Sequence, residues 1–156
     1  MEMRIANKND IETIIELRKA QLLDQGMLPT VNIDDNMKQY FEEVFEKEHI
    51  YQIFLIDNGE IVSTGAVVIQ QIPPAYDNYT GQEGYITNVY TKQAYRGLGL
   101  GKQVIDQLIK QCKMLDVNVV NLKASSDGAH LYSKIGFFNN PTSMTLELAE
   151  DDQQAN

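Results

Sequence analysis

One cysteine, two histidines, no tryptophan and 13 basic residues against 22 acidic ones are the shortages that bound this 156-residue chain. A single cysteine cannot close an internal disulfide, which suits a reducing compartment. His49 and His130 stand far apart with no cysteine or acid spacing around them, so no metal site is expected. Apolar runs of membrane-spanning length are missing, as is a charged-then-apolar leader. Neither insertion nor secretion is signalled, and the expected location is cytoplasmic. Repeats and long low-complexity tracts are absent too. The length suits one domain with a core that needs no staples. We expect that domain over 1–149, with 150–156 as a disordered acidic tail.

The shortage of positive charge is uneven. Residues 92–134 hold seven basic groups against three acidic ones, a local +4, which leaves −13 on the rest of a chain whose net charge is −9. Two readings stand. The split is ordinary surface variation, or the basic section serves an anionic ligand while the acidic remainder favours a cationic amine and repels nucleic acid.

What is present reads as alternating strand and helix periods. A short strand is expected over 3–6. Asn9-Asp10 would then cap a helix with Ile11, Ile14, Ile15 and Leu22 inward. A Gly/Pro-punctuated loop over 24–33 leads to a helix over 35–48 carrying Met37, Tyr40, Phe41, Val44 and Phe45. Segments 51–57 and 60–71 form a hairpin across Asn58-Gly59. An exposed connection over 72–82 precedes a strand over 84–91. A helix over 99–114 shows Leu100, Val104, Ile105, Leu108, Ile109 and Cys112 on one stripe. A strand over 117–124, a helix over 127–135 and a last strand over 143–148 complete the order.

The run Tyr95-Arg96-Gly97-Leu98-Gly99-Leu100-Gly101-Lys102 joins the 84–91 strand to the following helix. A strand that ends in a glycine-rich turn and opens a helix presents unpaired N–H groups and the positive end of a dipole, an anion site. Alternate glycines let a bulky diphosphate approach without meeting a Cβ. A nucleotide P-loop is excluded, since Arg96 and Gln103 stand where it needs a glycine and a magnesium-binding hydroxyl. The dinucleotide pattern Gly-x-Gly-x-x-Gly fails as well, with Lys102 or Val104 at its last position.

Tyr-Arg-Gly-x-Gly-x-Gly at 95–101 resembles the acyl-CoA loop of the GNAT superfamily of N-acyltransferases. A turn that merely caps a helix is the alternative for this motif alone. A second motif agrees: Ser126 through Phe137 resembles the family's Asn-x-x-Ala-x-x-Leu-Tyr-x-x-x-Gly-Phe, with Ser126 in place of the usual asparagine. The resemblance covers about 2–148.

It implies an α/β (α+β) fold with a mixed central sheet of about six to seven strands and helices on both faces. The sheet would splay between the strands near 84–91 and 117–124. It implies acetyl-CoA as cosubstrate, no metal, and acetyl transfer to a primary amine of a small molecule in a ternary complex. Peptide or protein acetylation, or a noncatalytic acyl-CoA-binding regulator, are the alternatives. The expected partner is the small amine acceptor, with no nucleic acid and no membrane; a homodimer is left open.

By the same resemblance the cofactor meets Val89, Tyr90, Thr91, Arg96, Gly97, Leu98, Gly99, Leu100, Gly101, Lys102 and Ser126. The Val89 N–H is the expected oxyanion donor, freed by a bulge near Thr87-Asn88, and Tyr132 the expected general acid. The family's glutamate base has Tyr85 at its place here. Glu83, two residues earlier on the same strand face, reaches the amine directly or through a water, or is a solvated carboxylate. Tyr85 lines the acceptor pocket or orients such a water. Met27, Tyr40 and Asn88 are the other expected pocket residues. Arg18 and Asn32 read as surface groups or as contacts to an acceptor carboxylate or amide. Cys112 reads as a buried small hydrophobe, which argues against a thiol route.

Overall fold

The computed structural model describes residues 1–148. It divides into two compact units, one from Met1 to Lys123 and one from Ala124 onward. The expected tail over 150–156 lies outside the described residues.

The first unit carries β1 (Glu2–Ile5), α1 (Ile11–Asp24), α2 (Asp34–Glu46), β2 (Ile50–Asp57), β3 (Glu60–Gln71), β4 (Gln82–Thr91), α3 (Leu100–Met114) and β5 (Val120–Leu122). The strands form one mixed sheet in the order β1-β2-β3-β4-β5. Its first three pairs are antiparallel and β4–β5 is parallel. Asn58 and Gly59, with φ of 51° and 79°, make the tight β2–β3 turn that an Asn-Gly pair specifies.

Side-chain alternation gives the sheet two dry faces. Phe54 and Val68 meet α1 and α2 through Ile11, Ile14, Ile15, Met37, Phe41 and Val44. On the other face Gly65 and Gly84 let α3 approach: a Cβ at Gly65 would stand 2.6 Å from Val104 Cγ1, and one at Gly84 3.0 Å from Cys112 Sγ. The bare backbone at these two points seats the helix that follows the glycine loop.

Several expectations are corrected. Among the described residues the sheet has five strands, not six or seven. The segment 143–148 alternates apolar and polar residues, yet it forms no strand; Met144, Leu146 and Leu148 are exposed, since no neighbouring strand accepts its backbone. The 117–124 strand contracts to Val120–Leu122. Asp10 stands at the α1 N-cap as expected, but its side chain makes no cap bond to that helix. Asn7 caps a short 3-10 turn, Lys8–Asp10, and the Asp10 side chain bonds back to the Asn7 N–H at 2.8 Å while holding Arg4 at 2.9 Å.

The second unit contains α4 (Ser126–Ile135). Ser125 caps it by accepting from the Gly128 N–H, and Gly136, with φ of 123°, ends it.

Candidate functional site

β4 carries the decisive irregularity. Its register against β3 runs Ala66↔Thr87 and then Thr64↔Tyr90, so Asn88 and Val89 together oppose Gly65. This is a bulge, and Asn88 occupies it with φ of 59°, a left-handed conformation asparagine tolerates better than most residues. The bulge reverses the strand's alternation. Tyr85 and Thr87 face α1 and α2, whereas Val89 lies on the α3 face, where its Cγ2 is 3.4 Å from the Cβ position of Gly65. Asn88 itself turns toward the α1/α2 face, and it is 3% exposed.

A buried amide network holds it there. Asn88 Nδ2 donates to Gln52 Oε1 at 3.2 Å, Gln52 Nε2 donates to Thr64 Oγ1 at 3.0 Å, and Thr64 Oγ1 donates to the Ile53 carbonyl at 2.8 Å. Gln52 and Thr64 are each 1% exposed, so water does not compete for these bonds. Neither residue was singled out by sequence. The available signal was a glutamine, Gln52, inside the otherwise apolar run 50–56.

Beside the bulge opens a cavity of about 340 Å³ lined by Arg18 of α1, by Ile33 at the head of α2, by Asn36, Met37, Tyr40 and Phe41 of α2, and by Tyr85, Thr87 and Asn88 of β4. Its size lies at the small end of ligand sites. Tyr40, Tyr85 and Asn88 are therefore brought together. Met27 is exposed and does not line the cavity, and Asn32 instead spends its Oδ1 on the Asp34 N–H at 2.9 Å, opening α2. Asn36 and Thr87 line it without having been expected there. Burial pushes the Tyr40 phenol up; the Arg18 charge opposes that shift and Tyr85 adds to it.

Glu83 shares a β4 face with Tyr85 and Thr87 but stands outside the cavity lining, accepting from Asn121 Nδ2 at 3.2 Å. Cys112 is buried, and burial pushes its thiol up, which keeps it an unreactive packing group.

β4 outruns its neighbour. Pairing with β5 ends at Ile86↔Leu122, so residues 87–91 have no strand on that side. After Thr91 the chain makes a 3-10 turn, Gln93–Tyr95, and enters the glycine loop. Gly97 and Gly99 have φ of 79° and 81°, and a Cβ at either would meet nothing within 4 Å, so the loop faces open space. Gly99 caps α3 without any side-chain bond, and the first helical bond to it comes from the Gln103 N–H. The N–H groups of Leu100, Gly101 and Lys102 form the first turn, the set a helix start leaves available. Arg96 reaches the Thr91 carbonyl and Asp24, both at 2.9 Å, and Lys102 pairs with Asp106. The loop's open donors fit a diphosphate, while the two nearby cations are each held by a carboxylate.

In the second unit, burial pushes the Tyr132 phenol up, and its ring packs edge-on to Phe137 at 5.8 Å. Gly128 lies under that ring: a Cβ there would stand 3.0 Å from Tyr132 Cε2. Ser126 is exposed at the start of α4. Among the described residues no group of three or more His, Cys, Asp or Glu side chains is placed to hold a metal, and no helix is long and apolar enough to cross a membrane.

The family model described as acetyltransferase (GNAT) family matches residues 14–137. A glucosamine 6-phosphate N-acetyltransferase of Arabidopsis thaliana is 28% identical over 128 residues, 80% of this chain and 84% of that protein. The protein of the same name from Trypanosoma brucei brucei is 27% identical over 151 residues, 95% of this chain and 96% of its own. A crystal structure described as a predicted acetyltransferase with acetyl-CoA, from Clostridium acetobutylicum, superposes with a TM-score of 0.92 at 32% identity, covering 94% of this chain and 95% of that one.

Proposed function

The chain belongs to the acetyltransferase (GNAT) family, and from that membership we propose that it transfers the acetyl group of acetyl-CoA to a primary amine of a small molecule, both substrates being bound together. The observation that carries the acceptor half is the 340 Å³ cavity, whose wall is the bulged stretch of β4 itself. A concave site of that volume suits a small amine better than a protein surface.

Acetyl-CoA supplies an activated thioester, which an amine attacks without any covalent enzyme intermediate. The protein's task is then positioning and charge stabilisation. The N–H groups of the glycine loop, Gly97 through Lys102, and the α3 dipole hold the diphosphate, with Arg96 beside them. Backbone of Val89, Tyr90 and Thr91 offers strand-like pairing along the open side of β4. The Val89 N–H, at the bulge, donates to the oxygen on which charge develops. Ser126 is assigned to the cofactor on the motif alone.

Tyr132 is the proton donor to the departing sulfur. A phenol is protonated at neutral pH, as a donor must be, and burial pushes this one further in the same direction. The cavity lining contains no carboxylate, so the amine's proton leaves by a water that Tyr85 and Thr87 orient toward Glu83.

The test is thiol release from acetyl-CoA across a panel of small amines, with the acetylated product identified by mass. Glucosamine 6-phosphate, the acceptor named in two relatives, is the first member. Amine-dependent release with a matching product supports the reading. Acetylation of peptides alone, or binding of acetyl-CoA with no transfer to anything, overturns it in favour of a protein acetyltransferase or a noncatalytic regulator.

A further inference from the structure

The chain has three arginines, at 4, 18 and 96. Two of them are neutralised, Arg4 by Asp10 and Arg96 by Asp24, each at 2.9 Å. Arg18 has no carboxylate partner among the described residues, in a chain with 22 acidic residues to offer. It is half-buried and lines the acceptor cavity.

What orients it is neutral. Arg18 Nη1 donates to Gln21 Oε1 at 3.1 Å, one turn along α1, and Gln21 is 8% exposed. A buried amide that holds one corner of a guanidinium leaves its charge intact and its other N–H donors available. A carboxylate at that position would orient the group equally well but cancel its charge. The remaining lining residues carry no acid, so the cavity is locally cationic although the chain as a whole is at −9. Tyr40, on the α2 wall of the same cavity, lies near enough for the Arg18 charge to oppose the upward push of burial on its phenol.

We propose that Arg18 is an anion subsite of the acceptor pocket, so that the amine acetylated here also carries an oxyanion, a carboxylate or a phosphate monoester. The inference rests on the acetyl-transfer reading above and narrows its substrate class. A half-buried guanidinium without a counter-ion pays desolvation that a bidentate oxyanion recovers, with better geometry than a point charge gives. A polyamine or a plain amine gains nothing from this group and is repelled by it while protonated. The acidity of the whole chain therefore misleads about the acceptor: the charge that matters is the one inside the cavity.

Matched amines test it: phosphoethanolamine against ethanolamine, and an amino acid against its carboxamide. The readout is the ratio of kcat/KM within each pair, which cancels general losses of activity. In the wild-type protein at least one anionic member should exceed its neutral partner by roughly tenfold or more, the range expected of a hydrogen-bonded charge that is partly screened. The pair that shows it tells carboxylate from phosphate. Arg18→Met should bring that ratio to near one, and Arg18→Lys should retain part of it.

Calorimetric binding of the same pairs to the coenzyme A-loaded protein separates this inference from the reading beneath it. An anionic preference in binding that Arg18→Met abolishes supports the subsite even if no acetyl transfer is seen. Brisk transfer without any preference, or a preference that survives Arg18→Met, overturns the subsite and leaves acetyl transfer standing.

Discussion

Asn88 Nδ2 donates to Gln52 Oε1 at 3.2 Å from the far side of β3, the strand that separates their own. Between them lies Ala66, paired with Gln52 on one side and with Thr87 on the other, small enough for the amide to pass over it. The bulge that re-aims β4 is thus held through side chains, not by the ladder. Gln52→Leu fits the apolar strand but leaves the Asn88 amide without its buried acceptor and the Thr64 hydroxyl with only the Ile53 carbonyl. We expect a loss of about 1–3 kcal/mol in urea denaturation. Turnover should fall more than acetyl-CoA affinity if the bulge serves the reacting atoms as proposed. Unchanged stability and turnover would show that the bulge needs no such support.

Gly65 is where α3 sits on the sheet. Gly65→Ala places a methyl 2.6 Å from Val104 Cγ1, which the packed interface relieves only by shifting the helix. The expected cost is about 1–3 kcal/mol. Val104→Ala removes the clashing methyl, so the double variant should be more stable than the sum of the two single losses implies. Additive losses in a double-mutant cycle would mean that the helix does not rest on this point.

Acid sensitivity is expected at the start of α1. The Arg4 guanidinium, helped by the Asn7 N–H, holds the Asp10 carboxyl below its ordinary value despite partial burial. A depressed folded-state pKa contributes stability above the unfolded value, near pH 4, and that contribution is lost as pH falls through the folded one. Asp10→Asn should therefore cost up to about 1 kcal/mol at pH 7, given the pair's partial exposure. The gap to wild type should close on acidification. A gap that stays constant down to pH 2 would assign Asp10 a packing role instead.

Elements whose own residues decide their conformation were legible in the sequence. The Asn58-Gly59 hairpin, the α3 stripe and the glycine loop all rest on local chemistry, and the structure places them within a residue or two of expectation. The 143–148 segment was not, because alternation marks a strand only if another strand lies beside it. The Gln52–Thr64–Asn88 network was illegible for a related reason: its members belong to three different strands. Arg18 could be suspected as an acceptor contact, but its freedom could not. Ion pairing of Arg4 and Arg96 depends on which carboxylates the fold brings near.

Tyr132→Phe keeps the ring against Phe137 and over Gly128 while removing the phenol. With chemistry rate-limiting, turnover at saturating substrates should fall about 10²-fold, the lower end for a lost general acid, since a thiol is already a fair leaving group. Acetyl-CoA affinity should change little, because the proposed donor is asked to act only as charge develops on sulfur. Turnover within twofold of wild type would remove Tyr132 from the reaction.

The reaction is assigned to the bulge of β4, and a crystal structure with acetyl-CoA tests that assignment most directly. The expected complex has the diphosphate on the N–H groups of the glycine loop and the thioester oxygen about 2.7–3.1 Å from the Val89 nitrogen, as an oxyanion donor requires. The acetyl carbon should face the cavity that Tyr85, Thr87 and Asn88 line. An acetyl group bound away from Val89, or a Val89 N–H already spent on the β3 ladder, would contradict it.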